Sequence, residues 1–474
     1  MFLAGSRFLS HWLAGLGIYR SSGSGPGGAA DGSPIDMAAF LLLIVASFAV
    51  LLGKRFRWID VAKRNSALVL LYAFGVASLL WSESPLVAFK RLIKSFGTVA
   101  MALIIVTEPR PYVTYRQIIT PMAIVLLPLS ILLIKYYPEL GRQYHSTGSQ
   151  MLTGVTMQKN SLGELCMLIG LYISWNLLHL GRDSSYEGRR LGWPVAICLV
   201  GALVWLMGAA DSATALVCLA VGVSVHLVAK VGWVKRHPTS LVAIVTATGV
   251  ALLAAQQAFD AKGMFLALVN RRPDLTTRVP MWEDLLEIAA NPLLGFGWQS
   301  LSLTAQHQAV VAKWEVVSTH NTYLDLYLNL GLVGLSLYLL LVAAGFWSVT
   351  RQLSTAYRPA VLRLSFLIVV LLYGWTETVD LGVSNTYLLL LLGTLGVGDH
   401  AEGSQEQNER HTAMRYGSGH PHVAGGKRRP RSRQDALRLH ARQENAASVK
   451  DGDGRSLVAG GGSVKRSGHL SRRG

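Results

Sequence analysis

Residues Gly192–Ala210 read GWPVAICLVGALVWLMGAA, with no ionised side chain, and after Asp211-Ser212-Ala213 the chain resumes with Thr214–Ala229, TALVCLAVGVSVHLVA. A helix rising about 1.5 Å per residue needs roughly twenty apolar positions to cross the hydrocarbon of a bilayer. Neither block alternates in strand fashion or keeps a polar helical face, so the pair reads as two membrane helices joined by a tight turn. Helices are the expected spanning element because a backbone away from water must satisfy its own N–H and C=O groups.

Similar blocks lie at Asp36–Leu52, Ser66–Trp81, Gly97–Val106, Ile118–Tyr136, Ser161–Leu180, Thr239–Gln257, Thr322–Trp347, Ala360–Thr378 and Asn385–Val397, which makes eleven. The third is short because Lys90, Arg91 and Lys94 interrupt the apolar run that precedes it, which predicts a helix beginning in the interface. Met1–Tyr19 is a weaker run broken by Arg7, Ser10 and His11, and a Gly/Ser-rich stretch follows it. It reads as a short twelfth helix, an interfacial or disordered leader, or a poor signal peptide. Across the chain 51% of residues are hydrophobic and 15% charged. The expected fold class is all-α: a polytopic membrane bundle of eleven helices over residues 36–397, or twelve if the N-terminal segment, 1–35, supplies a short extra one.

Cys166, Cys198 and Cys218 all fall inside apolar blocks, so they form neither a disulfide framework nor a zinc site and read as small core residues. Much of the formal charge of +17 comes from the Gly-, Ser-, His- and Arg-rich end of the chain, residues 398–474. That composition predicts a disordered basic tail drawn to anionic lipid head groups, with no nucleic-acid partner.

Lysines and arginines set the expected orientation, since cytoplasmic loops retain them. They follow the first block (Lys54, Arg55, Arg57, Lys63, Arg64), the third (Arg110, Arg116), the fifth (Arg182, Arg189, Arg190), the seventh (Lys230, Lys235, Arg236) and the ninth (Arg351, Arg358). All odd-numbered connections therefore face the cytoplasm, as does the tail, in a bacterial inner membrane. The loop 258–321 then lies on the extracytoplasmic side, and it is far longer than two helices need for a connection.

That loop carries Asn270-Arg271-Arg272-Pro273-Asp274-Leu275-Thr276-Thr277-Arg278-Val279-Pro280-Met281-Trp282, leading into an expected amphipathic helix at Trp282–Ala290 and then Gly295-Phe296-Gly297-Trp298. Guanidinium forks present paired donors to phosphate oxygens and stay charged, so three arginines at a membrane surface suit an anionic ligand. Arg271 and Arg272 equally suit snorkelling to lipid phosphates. His320 lies where the chain re-enters the bilayer, placed to take a proton from a hydroxyl or merely to hydrogen-bond. Lys159 and Glu164 stand at the start of the fifth block, as a ligand site or a mutually neutralising pair. The turn at Asp211-Ser212 reads as a helix cap, His226 as structural, and Glu377 and Asp380 are left open. Nucleotide-phosphate loops, HExxH and dinucleotide turns are absent from the sequence.

Several of these pieces together resemble the O-antigen ligase and polysaccharide polymerase superfamily of membrane glycosyltransferases. They are Trp81-Ser82-Glu83-Ser84-Pro85 with Lys90-Arg91, Gln158-Lys159-Asn160-Ser161-Leu162-Gly163, Asp211-Ser212-Ala213-Thr214, Thr277-Arg278-Val279-Pro280-Met281-Trp282, Asn291-Pro292-Leu293-Leu294-Gly295-Phe296-Gly297, and His320-Asn321-Thr322-Tyr323-Leu324 with Leu330-Gly331-Leu332-Val333-Gly334. Gln158 and Thr277 depart from that superfamily's usual His-Lys-Asn and Gly-Arg. The resemblance implies a GT-C-like helical fold that moves a glycan from a polyprenyl diphosphate to a glycan, lipid or protein hydroxyl without a metal or cofactor. It implies that Arg278 holds the diphosphate and His320 activates the acceptor, while Lys159, Arg91 and Lys94, with Arg271 and Arg272, add positive charge along the lipid diphosphate. Flippase or chain-length-regulator partners would accompany such an enzyme. The competing expectation is a transporter or flippase of the same lipids, for which repeated halves or paired broken helices would be the sign.

Overall fold

The computed structural model describes Leu13 and residues 34–54, 58–108, 111–144, 150–179, 191–259, 275–289, 291–314 and 319–396. The expectations for the N-terminal run, for Arg271 and Arg272 and for the basic tail lie outside the described residues. Every one of the eleven apolar blocks is a helix: α1 Pro34–Gly53, α2 Ser66–Ala77, α3 Pro85–Val106, α4 Pro111–Tyr136, α5 Lys159–His179, α6 Trp193–Ala210, α7 Ala213–Val228 and α8 Ser240–Phe259. After the long loop come α11 Thr322–Thr355, α12 Tyr357–Thr376 and α13 Asn385–Thr394. Inside the loop stand α9 Leu275–Glu287 and α10 Ala305–Trp314. Among the described residues one antiparallel pair, β1 Arg142–Tyr144 with β2 Gln150–Leu152 and Arg142 opposite Leu152, is the small exception to an all-α architecture.

Six of the helices among the described residues are at least 18 residues long and apolar enough to cross a bilayer. The chain is a multi-pass membrane protein. α5 and α12 form its centre, with 72% and 78% of their apolar stretches buried, whereas α1, at 28%, lies on the periphery. α3 runs unbroken through Lys90, Arg91 and Lys94, so its shortness in the sequence reflects three cations and no break in the helix.

α11 is two helices. At Gly331 the backbone turns to φ 63°, ψ −168°, outside the helical range, and peptide groups on both sides of this point turn to the loop. Bare peptide groups at membrane depth are expensive, and here the loop supplies their partners. Phe296 N–H donates to Leu328 O at 3.0 Å and Gly297 N–H to Asn329 O at 2.7 Å, while Leu332 and Val333 N–H donate to Pro292 O and Leu293 O at 2.8 and 3.3 Å. Two glycines make the approach possible. A Cβ on Gly331 would lie 2.1 Å from Leu293 O, and one on Gly295 2.5 Å from the Asn329 carbonyl carbon; both residues hold positive φ.

The loop also has a core of its own. Met281, Leu285, Phe296, Leu301, Val310 and Leu328 cluster together, and Asp284 of α9 accepts from Lys313 Nζ at 2.6 Å and Trp314 Nε1 at 2.7 Å of α10. α9 begins at Leu275, seven residues before the expected Trp282, and passes through Pro280. Proline inside a helix removes one backbone donor, and packing of Met281 and Leu285 holds the helix in spite of it.

Gly331→Ala and Gly295→Ala should each lower the thermal midpoint of the detergent-solubilised protein, with a destabilisation above about 2 kcal/mol, because positive φ and backbone overlap add. Gly201→Ala, which meets nothing within 4 Å, is the control expected to stay near wild type. Equal midpoints in a thermal unfolding scan would remove the loop-in-helix junction from the account.

Candidate functional site

Where α12 ends, Glu377 leaves the helix in extended conformation and the chain runs through Thr378, Val379, Asp380, Leu381, Gly382, Val383 and Ser384 before α13 begins. This connection is fastened from several sides. Thr322 Oγ1 donates to Glu377 O at 2.9 Å and accepts from Val379 N–H at 2.8 Å, and the Thr319 and Thr378 hydroxyls meet at 3.0 Å. From α3, Ser95 donates to Leu381 O and Thr98 to Gly382 O, the latter at 2.7 Å. Ser95 and Thr98 stand ten and thirteen residues into α3, roughly 15–20 Å along it. The connection is thus recessed below the start of α3, which is why α13 is only ten residues long.

Arg278 and His320 meet over this recess. Trp282 and Arg278 are four apart on α9 and project on one face. Trp282 Nε1 donates to Thr319 O at 2.8 Å, and Arg278 Nη1 donates to Thr376 O. Arg278 Nη2 is 3.5 Å from Glu377 Oε1, and His320 Nδ1 is 2.9 Å from Glu377 Oε2. One carboxylate therefore joins the two residues, which are far apart in the chain. Only 10% of the Glu377 side chain is exposed, against 22% for Arg278 and 24% for His320, so the cation and the imidazole are the groups a ligand meets.

The local backbone explains the placement of His320. Asn321 caps α11, its Oδ1 accepting from Tyr323 N–H at 2.9 Å and Leu324 N–H at 3.1 Å. His320 precedes that cap with φ 49°, a left-handed conformation that costs a non-glycine residue on the order of 1 kcal/mol. Two threonines and the cap hold it there, and the turn aims the ring at Glu377.

The remaining candidates occupy different places. Arg91 donates to Gln299 O and to Ser302 Oγ, the latter at 2.9 Å, bracing α3 against the loop, with Asp380 and Asp325 in electrostatic reach. Lys94 stacks over Phe40 of α1 at 4.7 Å. Lys159 opens α5, partly exposed. Glu164 turns away from it: its carboxyl faces the Tyr373 hydroxyl and the Asn385 N–H, and it lies close enough to Glu377 and Asp380 to feel their charge. The mutual neutralisation open in the sequence is thus not the arrangement found. Ser212 occupies the cap position of α7 without a capping hydrogen bond, and Asp211 ends α6 in the left-handed region. Thr214, just beyond, touches Thr376 through its hydroxyl at 2.9 Å, which brings that turn to the edge of the site.

His226 is structural, as read: buried, it bonds Ser174 and Ser365 through its two ring nitrogens, each at 2.9 Å. Sequence reading left Glu377 undecided and overlooked Trp282 as a tether. The four-residue spacing of Arg278 and Trp282 was the available sign.

The O-antigen ligase family matches residues 195–339. A further relative is the exopolysaccharide production protein ExoQ of Rhizobium meliloti (strain 1021), 26% identical over 301 residues, a match covering 60% of this chain and 66% of that protein, just under two thirds of its length. Over these residues the chain is similar to the O-antigen ligase/polymerase-like superfamily. The family match takes in the turn after α6, the whole loop with Arg278, and His320 with the broken half of α11. Glu377 falls beyond it, so the carboxylate of the site comes from outside the matched segment.

Thr322→Val should leave the buried carbonyl of Glu377 and N–H of Val379 without their shared partner and destabilise the protein by about 1–3 kcal/mol. Thr322→Ser keeps the hydroxyl and should restore most of that loss in the same thermal measurement. A valine variant as stable as wild type would show that the hydroxyl does not hold the connection.

Proposed function

We propose that this protein is a member of the O-antigen ligase/polymerase-like superfamily, a glycosyltransferase that takes saccharide from a polyprenyl-diphosphate donor, at the extracytoplasmic face of a bacterial inner membrane, and joins it to an acceptor hydroxyl in building a surface polysaccharide. The observation that carries the reading is the meeting of Arg278 and His320 on Glu377 in a recess at the membrane boundary. The basic odd-numbered connections support placing that end of the bundle outside. The relative's description as an exopolysaccharide production protein supports a polysaccharide product.

In this reading the acceptor oxygen attacks the anomeric carbon of the donor sugar. As the new C–O bond forms, the bond from that carbon to the diphosphate oxygen breaks, and polyprenyl diphosphate departs with the electron pair. Negative charge grows on the leaving group, where a fixed cation in a partly dry site is most effective. Arg278 supplies it: the hydrogen bond to Thr376 and the ion pair to Glu377 leave other N–H groups of the guanidinium for phosphate oxygens. His320 takes the acceptor's proton at Nε2, since Nδ1 is committed to Glu377. Lys159 adds charge along the lipid phosphates, as do Arg271 and Arg272. Arg91 and Lys94 act from further off through the field, Arg91 bonded to Gln299 and Ser302 and Lys94 over Phe40. No divalent ion is required, because the protein's own cations neutralise the diphosphate.

Reconstituted with a polyprenyl-diphosphate oligosaccharide, the purified protein should lengthen or transfer glycan in the presence of EDTA. His320→Ala and Arg278→Ala should each lower turnover by on the order of 10²-fold or more. Undiminished product from both variants defeats the assignment, and loss of activity in EDTA defeats its metal-free form. A cysteine placed at 320 in a background lacking the native cysteines should react with an impermeant reagent added outside intact cells; labelling from the cytoplasm alone would reverse the orientation.

A further inference from the structure

Glu377 is held more firmly than a surface ion pair requires. Its N–H donates to Tyr373 O at 2.9 Å and its carbonyl accepts from Thr322, so the backbone is pinned on both sides of the side chain. Both carboxylate oxygens are engaged, Oε1 by Arg278 of α9 and Oε2 by His320 Nδ1. The other charged or titratable groups close to it are Glu164 of α5, Tyr373 one turn back on α12, and Asp380 in the same connection, next to Glu164. Among the described residues, His320 Nε2 has no hydrogen-bond partner. The ring is partly exposed, and its other nitrogen ends on a buried carboxylate.

From this geometry we propose that Glu377 is a positioning residue: it keeps the proton of neutral His320 on Nδ1, so that the Nε2 lone pair faces the acceptor hydroxyl, and it keeps the imidazole beside Arg278. A neutral imidazole carries its proton on either nitrogen, and the hydrogen bond made by one decides the state of the other. A carboxylate cannot donate when ionised, so contact at Nδ1 requires Nδ1–H and leaves Nε2 as the acceptor. The same carboxylate offsets part of the Arg278 charge that would otherwise repel the imidazolium formed when the proton arrives. This role rests on the glycosyltransferase reading for its chemistry, but the tautomer it demands is a property of the protein alone.

The test is nitrogen-15 spectroscopy of the full protein in lipid bilayers, labelled at histidine, with the pH raised until the His320 nitrogen shifts stop changing and report a neutral ring. His320→Gln identifies the resonance of interest among the thirteen histidines. Wild type should show His320 protonated at Nδ1 and bare at Nε2. Glu377→Ala should move the population toward Nε2–H, while Glu377→Gln, whose amide oxygen still accepts, should keep it. In the reconstituted assay Glu377→Ala should lose turnover by on the order of 10²-fold with KM for the donor little changed, and Glu377→Gln should recover part of it. An Nε2–H ring in wild type overturns the proposal outright, without any variant having to fold. A tautomer unmoved in Glu377→Ala also overturns it, whatever happens to turnover. If the tautomer responds as expected while wild type makes no glycan product, the enzyme reading falls and the positioning role stands.

Discussion

The structure depends on satisfying the backbone where α11 breaks at Gly331. In a bilayer a peptide group left without a partner costs several kcal/mol, so a broken helix needs a second chain segment close enough to replace what was lost. Here four backbone bonds join the break to Pro292, Leu293, Phe296 and Gly297. The long loop is thereby inserted into the bundle rather than resting on it, and its helices α9 and α10 are referenced to the membrane core through a backbone junction.

Geometry carried on a loop is only as good as the loop's attachment. α9 carries Arg278 and is fixed by the packing of Met281 and Leu285 with Phe296 and Leu328, which flank the junction, and by Trp282 on Thr319. The first half of α11 carries the cap that sets His320. The α12–α13 connection carries Glu377 and is tied to α11 by Thr322 and to α3 by Ser95 and Thr98. Three segments remote in sequence are thus held against one another by backbone and hydroxyl hydrogen bonds, which tolerate less slack than apolar packing between helices in lipid.

Charge is arranged with the same economy. Arg278 lies at the carbonyl end of α12, where the helix presents partial negative charge, and beside Glu377, so a guanidinium in a half-dry place is not left uncompensated. Glu164, lacking Lys159 as a partner, rests against a hydroxyl and a peptide N–H instead. Arg91 has become a brace between α3 and the loop. Residue types that suggested one continuous cationic track therefore divide into a group at the recess and a group that holds the scaffold.

Much of the fold was legible in the chain because membrane helices announce themselves locally: each apolar block is long enough to satisfy its own backbone, and all eleven became helices. Arg278 and His320 stood out as candidates for the same reason, being polar residues beside an apolar block, and the glycine pairs at 295–297 and 331–334 stood out through the resemblance. The start of α9 was missed because Pro280 argues locally against a helix and only the packing of Met281 and Leu285 outweighs it. What tertiary structure alone decided was the partnership: that Glu377 serves both Arg278 and His320, that Glu164 ignores Lys159, and that one glycine motif fits into the break made by another. Hydrophobic length is a property of a segment, whereas a hydrogen bond between segments remote in the chain depends on where the bundle brings them, and no local pattern encodes that distance.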